Sequence, residues 1–175
     1  MILYALRKVG VDMGNVGIEK VGVYAGSFNP FTNGHLEVVK DAAKLFDKVV
    51  ICRAANSSKT VREDYDMAVA IRETLEAEGL KNCEVVEIYD MMIADYCRII
   101  GATYLIRALR NSSDYMYEEN IAKINYEINP NLTTIYLRSK PNFECVSSSM
   151  IRELKKYGKD VSKYLPKAVE EIYCK

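Results

Sequence analysis

Thr32-Asn33-Gly34-His35, Lys59, Arg107 with Arg110, and Ser147-Ser148-Ser149 are the residues whose types and spacing point to phosphate chemistry. The first group closes the run Gly26-Ser27-Phe28-Asn29-Pro30-Phe31-Thr32-Asn33-Gly34-His35. That run follows a short apolar stretch, Val21 to Ala25, and leads into Leu36, Val39, Ala43 and Phe46 at helical spacing. A strand therefore hands over to a helix. The helix start offers N–H groups without intrahelical partners and the positive end of a dipole, so an anion docks there without a further charge. His35 falls in the first turn. The same residues would also suit a plain loop capped by Asn33.

Arg107 and Arg110 end the apolar run Leu105-Ile106-Arg107-Ala108-Leu109-Arg110, where guanidinium forks can hold phosphate oxygens in pairs. Val146-Ser147-Ser148-Ser149 reads as a second helix start, either a plain serine cap or a second anion site. Lys59 lies in Asn56-Ser57-Ser58-Lys59-Thr60, a loop in which a lysine is either solvated or turned to an anion.

The elements that must position these groups alternate. Strands are expected at Val21–Ala25, Lys48–Ala55, Cys83–Ile88, Thr103–Arg107 and Thr133–Leu137. Helices are expected from Leu36, over Asp64–Glu78, Met91–Ile100, Asp114–Asn129 and Ser147–Tyr157, and at the C-terminal end over Pro166–Cys174. This alternation predicts an α/β fold, a doubly wound five-stranded parallel sheet with a C-terminal helical segment. Right-handed crossovers then bring the loops that carry His35, Lys59, Arg110 and Ser147 to one sheet edge, where such folds bind ligands.

At 175 residues the chain fits one domain over 18–175, with residues 1–17 read as an extension of unknown role. Lys plus Arg and Asp plus Glu number 24 each, so no overall field draws the protein to nucleic acid or a membrane surface. The start lacks the basic-then-apolar order of a signal peptide, and no run has the length of a membrane span. Cys52, Cys83, Cys97, Cys145 and Cys174 are odd in number and set among apolar residues, which predicts reduced core thiols in a cytoplasmic protein. With one histidine and no CxxC pair, no metal ligand is expected from the protein.

Gly-Ser-Phe-Asn-Pro followed by Thr-Asn-Gly-His resembles the signature of the nucleotidylyltransferase superfamily. Together with Ser58-Lys59, Leu105-Ile106-Arg107, Arg110, Asp114-Tyr115-Met116-Tyr117-Glu118 and Val146-Ser147-Ser148-Ser149, it is similar to the phosphopantetheine adenylyltransferase family from Val21 to about Tyr173. The resemblance implies a Rossmann-like fold, transfer of AMP from ATP to 4′-phosphopantetheine, Mg²⁺ carried by ATP, and a homo-oligomer, commonly a hexamer. It implies that His35, Lys59 and Arg107 are catalytic. ATP would meet Ser27, Phe28, His35, Ala108, Leu109, Arg110, Glu118, and Phe143, Glu144, Cys145, Val146, Ser147, Ser148 and Ser149. The phosphopantetheine arm would meet Ser27, Lys59, Met92 and Arg107. The family usually has threonine at Ser27, aspartate at Asn29, glycine at Ala108 and tryptophan or another aromatic near Phe143. Gly-Ser-Phe-Asn-Pro is how nicotinate mononucleotide adenylyltransferases read, so that acceptor is the alternative, and a non-catalytic nucleotide-binding module is a third reading.

Overall fold

Strands whose successive side chains are buried on opposite faces need cover on both sides. Val23, Ala25, Val50 and Cys52 point to one face of the sheet, and Tyr24, Val49, Ile51 and Ile106 to the other. The computed structural model describes residues 19–55 and 61–174. Its five strands are β1 (Val21–Gly26), β2 (Lys48–Ala55), β3 (Cys83–Tyr89), β4 (Tyr104–Leu109) and β5 (Thr133–Arg138). All neighbours are parallel, in the order β3-β2-β1-β4-β5. The six α-helices among the described residues are α1 (Asn33–Leu45), α2 (Val61–Ala77), α3 (Ile93–Ile100), α4 (Ser112–Ile128), α5 (Ser148–Lys156) and α6 (Lys167–Tyr173).

Helices α1, α2, α5 and α6 cover the Tyr24 face through Leu36, Val39, Ile71, Ile151 and Val169. Helix α3 covers the Val23 face through Ala94 and Cys97, with Ile128 of α4 beside them. Each fully enclosed aliphatic side chain of this core contributes about 1.5–3 kcal/mol over its exposed state. The doubly wound α/β fold expected from the alternation is the fold observed.

The boundaries differ in ways that local chemistry explains. Helix α3 starts at Ile93, because Met92 stays extended (ψ 138) as its N-cap, and it ends on Gly101 at φ 71, where a residue without Cβ adopts the left-handed turn at no cost. Helix α4 starts at Ser112 because the Asn111 side chain accepts from the Asp114 N–H. On α1, Val38 and Ala42 are buried with Leu36 and Val39, whereas Ala43 is half-buried: the packed stripe is wider than the residues expected. All five cysteines are unpaired thiols, but only Cys52 and Cys97 are fully buried, while Cys145 and Cys174 are exposed. Core burial thus fails for the two that lie in a turn and at a helix end. The extension read over 1–17 and the Asn56–Thr60 loop lie outside the described residues.

Gly22 lets the sheet close on α1. A Cβ there would come within 2.8 Å of Ile106 and 2.9 Å of Phe46. Gly22→Val overpacks this contact by about 1–3 kcal/mol. Thermal unfolding should show a melting temperature lower by roughly 2–12 °C.

Candidate active site

The strand order reverses between β1 and β4, and open α/β sheets bind ligands in the crevice outside such a point. The β1–β4 ladder pairs Gly22 with Tyr104, Val23 with Leu105 and Tyr24 with Ile106, and goes no further. Beyond it lies a cavity of about 330 Å³ walled by the ends of β1 and β4, the first turns of α1 and α5, and one face of α4.

The first turn of α1 fixes His35. Thr32 is the N-cap, its Oγ1 accepting from the His35 N–H at 3.3 Å, while the Thr32 N–H donates to His35 Nδ1 at 3.0 Å. Because Nδ1 accepts, the neutral ring carries its proton on Nε2. The ring is packed beside Phe28 and Phe31, with centroids 5.2 and 5.5 Å away. Burial first, and the Arg110 charge second, lower its pKa to about 4. His35 is therefore a neutral N–H donor at physiological pH. Asn33 is not the cap; its side chain donates to the Lys163 carbonyl at 3.2 Å.

Arg107 donates from Nε and Nη2 to the two Glu118 carboxylate oxygens at 2.6 and 2.7 Å, and from Nη1 to the Ala25 carbonyl at 2.7 Å. These bonds use three of the five guanidinium N–H groups, so two remain for a phosphate. Arg110 donates from Nε and Nη2 to Asp114 at 2.9 and 3.1 Å. Asp114 and Glu118 stand one turn apart on α4, so a single helix face carries both counter-charges.

At α5, Ser147 is the N-cap and accepts from the Met150 N–H at 3.1 Å. The plain-cap reading therefore holds for Ser147. Ser148 Oγ donates to the Pro30 carbonyl at 2.8 Å, and Arg152 donates to the Asn29 carbonyl and to Ser149 Oγ, so the second helix start is tied to the first loop. The N–H groups of Ser148 and Ser149 lie outside the helix's own ladder, as do those of Asn33 and Gly34 on α1.

Residues 23–154 match the cytidylyltransferase-like family model. The phosphopantetheine adenylyltransferase of Lacticaseibacillus casei is 36% identical over 158 residues, covering 90% of this chain and 94% of that protein. That of Streptococcus pneumoniae strain Taiwan19F-14 is 39% identical over 156 residues, covering 88% and 95%. This chain belongs to the phosphopantetheine adenylyltransferase family. Among solved structures, a Vibrio parahaemolyticus protein assigned as a nicotinate-nucleotide adenylyltransferase aligns with a TM-score of 0.68 at 18% identity, over 90% of this chain and 93% of that one. The Plasmodium falciparum nicotinic acid mononucleotide adenylyltransferase aligns at 0.61 and 15% identity, over 88% and 94%. At these identities the likeness concerns the fold.

In this member of the phosphopantetheine adenylyltransferase family, Ser27, Phe28, His35, Arg107, Ala108, Arg110, Glu118, Phe143, Val146, Ser147, Ser148 and Ser149 line the one cavity. Leu109, Glu144 and Cys145 do not line it: Glu144 accepts from Arg138 at 2.9 Å, and Cys145 is exposed. Met92 also lies outside the lining, half exposed at the start of α3. Lys59 lies outside the described residues. Tyr24, Ser139 and Arg152 line the cavity without having been singled out by sequence, and Thr32, Asp114 and Tyr117, quoted within motifs, line it without having been given a role. For Asp114 the signal was present, since it stands four residues after Arg110 and four before Glu118. Tyr24 gave none, because it reads as a core residue and is buried as one, with its hydroxyl's pKa pushed up by burial.

The lowered His35 pKa carries a stability consequence. The unfolded chain protonates near 6.5 and the native one only near 4, so the unfolded state binds more protons between those values. The contribution of neutral His35 is complete above pH 6.5 and is lost as pH falls towards 4. Proton NMR of this single histidine should give a midpoint near 4. His35→Gln should flatten the matching part of the stability–pH curve.

Proposed function

We propose that this enzyme transfers AMP from ATP to 4′-phosphopantetheine, giving dephospho-coenzyme A and pyrophosphate. One observation supports the chemistry above the others: a neutral His35 N–H donor, two helix starts and the Arg107 and Arg110 guanidinium groups face one cavity at the strand reversal. The acceptor class is supported by the curated relatives, which carry the phosphopantetheine adenylyltransferase name.

The attacking group of such a transfer is already a phosphate, so no strong base is needed. Two polyanions must instead be aligned in line, and charge growing on the α-phosphate must be met by fixed donors. His35 Nε2–H and the first-turn N–H groups of α1 would meet the α-phosphate. Arg107, through its two remaining N–H groups, and Lys59 would hold the attacking phosphate. Arg110 and the start of α5 would hold the departing pyrophosphate. Mg²⁺ would arrive on ATP, held by phosphate oxygens and water. Asp114 and Glu118, the carboxylates at the cavity, are already committed to Arg110 and Arg107, which fits an ion carried by the substrate.

A cytoplasmic homo-oligomer, a hexamer by family resemblance, belongs to the same proposal, with unpaired thiols as the support for a reducing compartment. Among the described residues, no helix is long and apolar enough to cross a membrane.

Pyrophosphate release should follow from ATP with 4′-phosphopantetheine and stay near background with nicotinate mononucleotide; the reverse pattern would overturn the acceptor. In the same assay His35→Ala should lower kcat by about a hundredfold, because its bond strengthens in the transition state, while the KM for ATP moves by less than about threefold.

A further inference from the structure

Arg53 is the most deeply buried charged side chain among the described residues, at 2% exposure. Enclosing a guanidinium is unfavourable unless its N–H groups and its charge are met, so its partners are informative. Arg53 stands on β2 in register with Gly26 of β1 and Glu87 of β3. The guanidinium reaches the loop beyond β1, where Nε donates to the Ser27 carbonyl at 3.4 Å, and the space beside Gly26 is filled by the Phe28 ring, 2.9 Å from where a Cβ would stand. Its Nη1 donates to Glu87 Oε1 at 3.1 Å, which meets the charge.

Arg53 is not part of the cavity wall, whereas Ser27 and Phe28 are. A planar trans peptide directs its C=O and N–H to opposite sides. The Ser27 carbonyl that accepts from Arg53 therefore aims the Phe28 N–H away from Arg53, within a loop whose Ser27 and Phe28 line the cavity. Phe28 itself has φ 44. For a residue with a Cβ that left-handed conformation costs about 1–2 kcal/mol and persists only where its surroundings over-determine it. The ring is fixed by Tyr24, Phe31 and His35, and the preceding peptide by Arg53.

We propose that Arg53 is a positioning residue for phosphoryl chemistry it does not touch: held by Glu87, it orients the Ser27–Phe28 peptide so that the Phe28 N–H is a fixed donor to substrate phosphate. The proposal rests on the adenylyl-transfer reading of the cavity. It predicts that losing Arg53 shows in the rate and not only in stability.

The test compares wild type with Arg53→Met, Arg53→Lys and Glu87→Gln by thermal unfolding, by pyrophosphate release from ATP and 4′-phosphopantetheine, and by the amide NMR signal of Phe28 on adding ATP alone. Arg53→Met should lower kcat by about tenfold or more with the KM for ATP changed by less than about threefold, and should abolish the ATP-induced shift of the Phe28 amide. Arg53→Lys, which keeps the charge and a donor, should recover part of kcat. A kcat per folded molecule within about twofold of wild type, with only the melting temperature lowered, would overturn the proposal. If Arg53→Met does not fold, Glu87→Gln decides: it should lower kcat by about fivefold at unchanged KM for ATP, and an unchanged kcat would overturn the proposal. A wild type that releases no pyrophosphate, yet shows a Phe28 response to ATP that depends on Arg53, would overturn the reaction and uphold the positioning role.

Discussion

Arg107 takes over where the β1–β4 ladder stops. Backbone pairing between these strands ends at Tyr24 and Ile106, and the Ala25 carbonyl, which would otherwise be left without a partner at the crevice, accepts from the Arg107 side chain. The strands can diverge there without an orphaned polar group, and their divergence makes the cavity. The guanidinium is held flat by its two bonds to Glu118, so its remaining N–H groups have a set direction before any ligand arrives. Removing either partner would leave a partly buried charge unmatched, a loss of about 3–5 kcal/mol in comparable pairs.

The same pairing tempers the cavity's field. Arg107, Arg110 and Arg152 face it, but Glu118 and Asp114 balance the first two. A polyphosphate therefore meets oriented N–H groups rather than a pool of bare positive charge. Much of the donor set is backbone at two helix starts, and these do not titrate. His35 fits the same pattern, being kept neutral by burial and by Arg110. Donors of this kind are fixed in advance and need no rearrangement as charge develops on phosphorus.

The sheet, its order of elements and the site loops were legible because apolar strands, helical stripes and Gly or Ser punctuation are local signals. His35 and the serine-capped start of α5 were legible for the same reason. Arg53 was not, since an arginine inside an apolar strand gives no hint that the loop after β1 turns a carbonyl to it and that Glu87 meets its charge from the next strand. Nor was the commitment of Arg107 to Glu118 of α4, which needs the placing of α4 against the end of β4 in space. Met92, Leu109, Glu144 and Cys145 were drawn in by family resemblance, and their places outside the wall follow from local geometry. Met92 caps a helix, and Glu144 turns to Arg138 on the surface.

Two loops from distant parts of the chain form one surface because their polar groups satisfy each other. Ser148 donates to Pro30 and Arg152 to Asn29, so the start of α5 is bonded to the loop that precedes α1. Arg53 holds that loop from β2, through Ser27. The loop before the first anion-binding turn is thus fixed by two elements, α5 and β2. A donor displaced by even an ångström loses much of its advantage in an aligned transfer, so this double restraint is what the chemistry of the cavity requires of the fold.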